Sequence, residues 1–174
     1  MRLLAISGSL RSASSNSRLL DAATALAPPG VEFTRYEGLD QLPPFNPDVE
    51  AQALPTQVAQ LRALVAQADG IVISSPEYAH GVPGTLKNAL DWLVGGVELP
   101  GKPVALFNAS PTSTHVYASL VEILTTMSAR VVHAATVTLP LGARRLDVAG
   151  LLADDGIATA LRAGLAALIG ARSS

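Results

Sequence analysis

The stretch Arg2-Leu3-Leu4-Ala5-Ile6-Ser7-Gly8-Ser9-Leu10-Arg11-Ser12-Ala13-Ser14-Ser15-Asn16-Ser17 sets the architecture of this chain. Its first six residues read as a short buried strand, because an apolar run of this length stopped by glycine is too short for a helix yet fills the middle of a parallel sheet. From Ser14 onward, Leu19, Leu20, Ala23 and Leu26 recur at helical spacing, with Ser and Asn available as the N-cap. The segment between them is therefore a loop joining a strand to a helix. At that junction the first helical N–H groups lack internal partners and the helix dipole is positive, so an anion is favoured before any side chain is counted. Arg11 adds a planar cationic fork, and Ser9, Ser14, Ser15, Asn16 and Ser17 add neutral donors, so the loop reads as a phosphate cradle. A Ser-rich helix cap alone would give a similar pattern.

Further strands and helices alternate downstream. Val31 to Tyr36 is more polar and reads as an outer strand, and Leu42 to Asp48 reads as a loop because its three prolines remove donors and fix φ. Val58, Leu61, Leu64, Val65 and Ala68 mark a helix; Gly70 to Ser75 is a buried strand; Pro83 to Val94 is a helix with proline at a permitted early position. Pro103 to Asn108 is a strand and Val116 to Met127 a helix, followed by one last strand, Val131 to Leu139, and a final helix bearing Ile157, Leu161, Leu165 and Leu168. Five strands alternating with five helices specify a parallel sheet covered on both faces. Ligands of such sheets bind beyond the carboxyl ends of the strands, where loops 8–17, 76–84 and 109–115 are expected to converge.

Composition narrows the function classes. A chain of 174 residues, 49% of them apolar, fits one domain spanning 1–174. A net charge of −2 without a Lys/Arg cluster points away from nucleic acid and anionic membranes as partners. With no cysteine there is neither disulfide nor thiolate chemistry, and no metal site is read from the remaining side chains. The apolar runs Leu3 to Ile6 and Gly156 to Gly170 are short for a signal-peptide core and a membrane span, so a soluble cytoplasmic protein is expected.

The second loop is the most specific. Within Ser75 to Trp92, two prolines and two glycines among nine positions fix a loop ordered without regular hydrogen bonding, able to offer backbone N–H and C=O groups to a flat heterocycle. Tyr78 either joins that surface or packs on the Pro-rich loop 43–47. His80 reads as a loop anchor or surface residue before an acid/base, and His115 and His133 look no stronger. Lys87, Asn88, Asp91 and Trp92 are expected to hold their helix to the adjoining loop or to a partner subunit. The third loop, Asn108 to His115, supplies further hydroxyls and backbone groups at a strand end, with Ser113 or Thr114 starting the next helix.

Two motifs together resemble the NADPH-dependent FMN reductases. The first, Gly-Ser-x-Arg-x-x-Ser-x-Asn, stands as Gly8 through Asn16; the second, Pro-Glu-Tyr followed by Pro-Gly-x-Leu-Lys-Asn-Ala-x-Asp-Trp, stands as Pro76-Glu77-Tyr78 and Pro83 through Trp92. The resemblance implies a flavodoxin-like three-layer α/β/α sandwich on a five-stranded parallel sheet of order 2-1-3-4-5. It implies that Ser9, Arg11, Ser14 and Asn16 hold the FMN phosphate with Ser15 and Ser17 close by. It also implies that Pro76, Glu77 and Tyr78, with Ala79 and His80 following, line the isoalloxazine, and that Ser110 approaches from the other side. A homodimer or homotetramer is implied too. This chain departs from the family in carrying Ala79-His80 where Asn commonly follows Pro-Glu-Tyr, and in lacking the glycines often seen after the Ala-Ser pair of the third loop.

The activity implied is an FMN-dependent oxidoreductase in which NADPH or NADH gives a hydride to the flavin and a quinone or other small electrophile takes the electrons, with no dedicated acid/base residue. The alternatives are a flavodoxin-type electron carrier, for which 12 basic against 14 acidic side chains leave little steering charge, and a non-catalytic flavin-binding protein. Nucleoside triphosphate hydrolysis is disfavoured, since no Gly-x-x-x-x-Gly-Lys-Ser/Thr occurs, and the Gly-x-Gly-x-x-Gly pattern is absent after the first strand.

Overall fold

The computed structural model describes residues 1–141 and 146–171. Strand β1 (Arg2–Ser7) is central, flanked in parallel by β2 (Glu32–Tyr36) and β3 (Gly70–Ser74), with β4 (Pro103–Asn108) and β5 (Arg130–Val131) continuing outward. The order β2-β1-β3-β4-β5 is the one expected. β2 is the edge strand that its polar alternation predicts, and β1 and β3 are buried almost throughout.

Helices α1 (Ser15–Ala25), α6 (Val148–Ala153) and α7 (Asp155–Gly170) bury Leu19, Leu20, Leu151 and Leu161 against Leu3, Ala5, Val72 and Phe107. On the opposite face α3 (Thr56–Gln67), α4 (Gly84–Val94) and α5 (Thr114–Thr126) cover Leu4, Ile6, Ile71, Ile73 and Leu106 with Val58, Leu61, Leu86 and Leu124. Successive strand residues feed opposite layers, as the pleat requires.

Three local differences from the sequence reading have physical causes. The last expected strand is broken: β5 is followed by one 3-10 turn, His133–Ala135, and by β6 (Val137–Thr138), which pairs in parallel with Phe107 and Asn108. The small Ala135 is fully buried beneath α7, where a Cβ on Gly164 would stand 2.5 Å from Val137 Cγ2 and 3.1 Å from the Ala135 carbonyl oxygen, so the chain bends where helix and strand approach most closely. The Pro-rich loop ends in a helix, α2 (Pro47–Gln52), because Pro47 occupies the first helical position and the Asn46 Oδ1 caps the Asp48 N–H at 2.9 Å. The short helix α6 also joins the expected set, capped by Asp147 Oδ1 accepting from the Gly150 N–H at 2.8 Å.

The role expected of Asn88 and Trp92 is realised within the chain. The Trp92 Nε1–H and the Asn88 Nδ2–H both donate to the Pro43 carbonyl, at 2.7 and 2.9 Å, while Asn88 Oδ1 accepts the Phe45 N–H. Phe45 completes the clasp with its ring edge-on to Trp92, centroids 5.0 Å apart. Lys87 pairs with Asp91 one turn along α4.

Candidate functional site

The loop between β1 and α1 is held at both ends by the residue types its sequence supplies. Gly8 donates its N–H to the Ser74 carbonyl at 2.8 Å, and a Cβ there would stand 2.6 Å from Ser75 Oγ; only glycine lets the loop leave β1 pressed against the end of β3. Ser14 is the N-cap of α1, its Oγ accepting from the Asn16 and Ser17 N–H groups at 3.2 and 3.5 Å. The first turn of α1 carries no acidic side chain, so its positive end has no carboxylate of its own. Asn16 is buried and its Oδ1 accepts from Ser74 Oγ at 3.0 Å, which leaves its NH2 group as a donor. Arg11 is exposed, and among the described residues no carboxylate forms an ion pair with it.

Two adjoining cavities lie over this loop. One, about 450 Å³, is lined by Ser9, Arg11, Ser14, Ser15, Asn16, Arg18, Pro76 and Tyr78; the other, about 310 Å³, by Ser15, Asn16, Ser75, Pro76, Glu77, Asn108, Ser110 and Ser113. Ser15, Asn16 and Pro76 belong to both, so the three loops at the strand ends converge as expected. Ser17 lies behind the cradle, its hydroxyl 3.0 Å from Ser7 Oγ. Tyr78 is 52% exposed at the cavity wall, and Phe45 rather than Tyr78 packs with the Pro-rich loop's anchor, Trp92.

Ala79 and His80 form the tip of a two-residue hairpin. Tyr78 and Gly81 exchange both backbone hydrogen bonds, at 3.2 and 3.0 Å, and the two tip residues have φ of +48° and +58°. This is the turn for which Asn and Gly are suited, and here it is made by an alanine and a histidine. Glu77 turns the other way: its Oε2 accepts the Val116 N–H at 3.0 Å, supplying the cap that Ser113 does not give to α5. A buffer of polar contacts supports the third loop, with Asn108 Oδ1 accepting from the Ser110 N–H at 3.0 Å and its Nδ2 donating to the Ser113 carbonyl at 3.3 Å.

Arg18 and Ser75 line the cavities without having been expected there, and Asn108 and Ser113, read only as parts of the third loop, line them too. The signal for Arg18 was available, since it stands four residues beyond the cap; its Nη1 also donates to the Leu146 carbonyl. A third cavity, about 200 Å³, lies on the other side of Ser9, against Leu10, Tyr36 and Asp40. Burial, with the Asp40 carboxylate adding to it, pushes the Tyr36 phenol up to about 12, so the ring keeps its proton throughout the neutral range.

The sequence profile of the NADPH-dependent FMN reductases matches residues 1–144. The chain belongs to this family. An NAD(P)H-dependent FMN reductase of Pseudomonas aeruginosa is 40% identical over 112 residues, 63% of this chain and 60% of the relative; a quinone reductase of Escherichia coli is 35% identical over 113 residues, with the same coverage. The alignments thus span about 60% of the length of these curated relatives. Among solved structures, a flavoenzyme NAD(P)H:(acceptor) oxidoreductase of Paracoccus denitrificans superposes with a TM-score of 0.87 at 26% identity, covering 99% of this chain and 97% of that one. An oxidised flavodoxin of Bacillus cereus shares the fold alone, at 16% identity and a TM-score of 0.62 over 98% of both chains.

The residues present suit the flavin mononucleotide that the FMN reductase family takes its name from. A phosphate needs donors and positive potential, and the capped, acid-free start of α1 with Arg11 beside it offers both. A ring system needs a wider, less polar space at hand, and the adjoining cavities fall in the range of small-molecule sites.

Proposed function

We propose that residues 1–174 form one FMN-binding domain acting as an NAD(P)H-dependent oxidoreductase toward quinones or similar small electrophiles. The observation that carries this reading is the convergence of three strand-end loops on adjoining cavities that share Ser15, Asn16 and Pro76, over the acid-free N-terminus of α1. Ser9, Arg11, Ser14, Ser15 and Asn16 hold the phosphate; Pro76, Glu77, Tyr78 and Ser110 border the ring, with Ala79 and His80 at its rim. Bound FMN supplies hydride acceptance from reduced nicotinamide and delivery of electrons to the acceptor.

The chain's own residues position and polarise. Arg11 and the α1 N–H groups fix the phosphate end, which anchors the ring without touching the reacting atoms. Backbone groups of the 76–80 hairpin, held rigid by the Tyr78–Gly81 pairing and by the Glu77 bond to α5, present donors to the ring edge. Pro76 and Tyr78 would border one side of the ring.

The relatives' names support the reading, since one is described as an FMN reductase and another as a quinone reductase. Among the described residues no helix is long and apolar enough to cross a membrane. A homodimer or homotetramer is part of the proposal: Val94, the last residue of α4, and Val97 in the loop after it are 62% and 87% exposed, near Glu50 of α2, whose Val49 is also exposed. The testing experiment is steady-state turnover of a benzoquinone by the FMN-loaded protein with NADPH. Parallel double-reciprocal lines support the reading; absence of turnover with either nicotinamide, while FMN stays bound, favours the carrier.

A further inference from the structure

Three side chains that the proposed flavin chemistry does not require as a group come together at the mouth of the site. Glu77 sits in the second loop, His80 at the hairpin tip, and His115 in the first turn of α5. One candidate donor atom from each lies within 4.8 Å of the others, and the two imidazole rings are 4.3 Å apart, centroid to centroid, tilted by 43°. His80 and His115 are exposed and Glu77 is half-buried. The two histidines stand 35 positions apart in the chain, which is why no spacing motif announces them.

We propose that Glu77, His80 and His115 form a binding site for a divalent transition cation, with Zn²⁺ as the reference metal. Two imidazoles and one carboxylate are a borderline donor set suited to Zn²⁺, Ni²⁺ or Cu²⁺ and poorly suited to Mg²⁺ or Ca²⁺, which require oxygen ligands. Tetrahedral coordination at about 2.0–2.1 Å places ligand atoms about 3.3 Å apart, so the separations here close by small rotations of two exposed side chains. Three protein ligands leave a fourth position for water or an exchangeable anion.

The surroundings are pre-arranged. The Glu77 carboxylate is oriented by the Val116 N–H at 3.0 Å, a hydrogen bond of the kind that commonly steadies ligating carboxylates. The hairpin fixes the backbone of His80 at φ +58°, and its ring lies against that of His115. The positive end of α5 opposes a cation, and the Glu77 charge at that end offsets it. An ion bound here ties the 76–81 hairpin to α5 through two elements at once.

The test is titration of the untagged, metal-free protein with Zn²⁺ in competition with a chromophoric chelator, with and without FMN. The expected result is one equivalent bound, weakened at least tenfold in both His80→Ala and His115→Ala and unchanged in His133→Ala, whose ring bonds the Tyr117 hydroxyl away from the cluster. Cu²⁺ loaded at one equivalent should show two nitrogen ligands by electron paramagnetic resonance, falling to one in each variant. Saturating Zn²⁺ should raise the melting temperature of the parent protein but not of the variants. Both histidines are exposed, so the variants retain the fold. No saturable binding, or one equivalent still bound by the His80→Ala/His115→Ala double variant, would overturn the proposal, and neither outcome depends on the flavin reading.

Discussion

The Glu77 carboxylate caps helix α5 by accepting the Val116 N–H at 3.0 Å, across 39 positions of sequence. A side chain of the loop that borders the proposed ring site thereby closes the helix whose preceding loop forms the opposite wall. Glu77→Ala removes a charged cap and leaves the N–H of a buried helix end unanswered. The expected loss is about 1–2 kcal/mol in urea unfolding, with Glu77→Gln recovering roughly half of it through its amide oxygen. Equal stability of all three proteins would remove the cap from the account.

Arg11 tests the phosphate end. In the proposed site it makes a charge-assisted contact, so Arg11→Ala should weaken FMN binding by about 1.5–3 kcal/mol, roughly ten- to a hundredfold, read from quenching of flavin fluorescence. Because Arg11 is exposed and forms no ion pair among the described residues, the melting temperature of the flavin-free protein should stay unchanged.

Ala79 carries a conformational cost that can be removed. At φ +48° its Cβ is crowded by the backbone, whereas Asn tolerates the left-handed region. Ala79→Asn should therefore stabilise the protein by about 0.5–1 kcal/mol, while Ala79→Val, branched at Cβ, should destabilise it by at least as much. Thermal unfolding of the two variants decides between this and an indifferent tip.

Tyr36 sets an alkaline limit. Its folded value, about 12, lies above the ordinary 10.0, so its contribution is fully present below pH 10 and is lost as pH rises toward 12. Burial moves Lys102 the opposite way, lowering it against the pull of Asp69 and Glu98, so its contribution grows as pH rises toward 10.5. The difference between the parent protein and Tyr36→Phe isolates the tyrosine: the parent's unfolding free energy should fall relative to that of Tyr36→Phe by about 1–2 kcal/mol between pH 10 and 12, allowing for solvent at the cavity mouth. A constant difference across that range would contradict the assignment.

The parallel sheet and its order were legible because β1, β3 and β4 are uninterrupted apolar runs, each followed at short distance by a helical stripe. The break between β5 and β6 was not, because β-branched residues flank His133-Ala134-Ala135 on both sides and no Gly or Pro marks a stop; the bend comes from close packing of α7 on Ala135, which no local pattern records. Helix α2 was hidden by the prolines around it, although Asn46-Pro47 is itself a start signal. At the site, the Ser14 cap and the loop convergence followed from residue type and topology. The Glu77 bond to Val116 and the meeting of His80 with His115 did not, since both depend on how two loops are brought together by the sheet.

The most direct measurement is anaerobic titration of the FMN-reconstituted protein with NADPH, followed by its visible absorption. Loss of the band near 450 nm, characteristic of oxidised flavins in general, at about one equivalent of NADPH per flavin is the predicted result. Flavin that remains bound and yellow with excess NADPH and with excess NADH would contradict the reductase account.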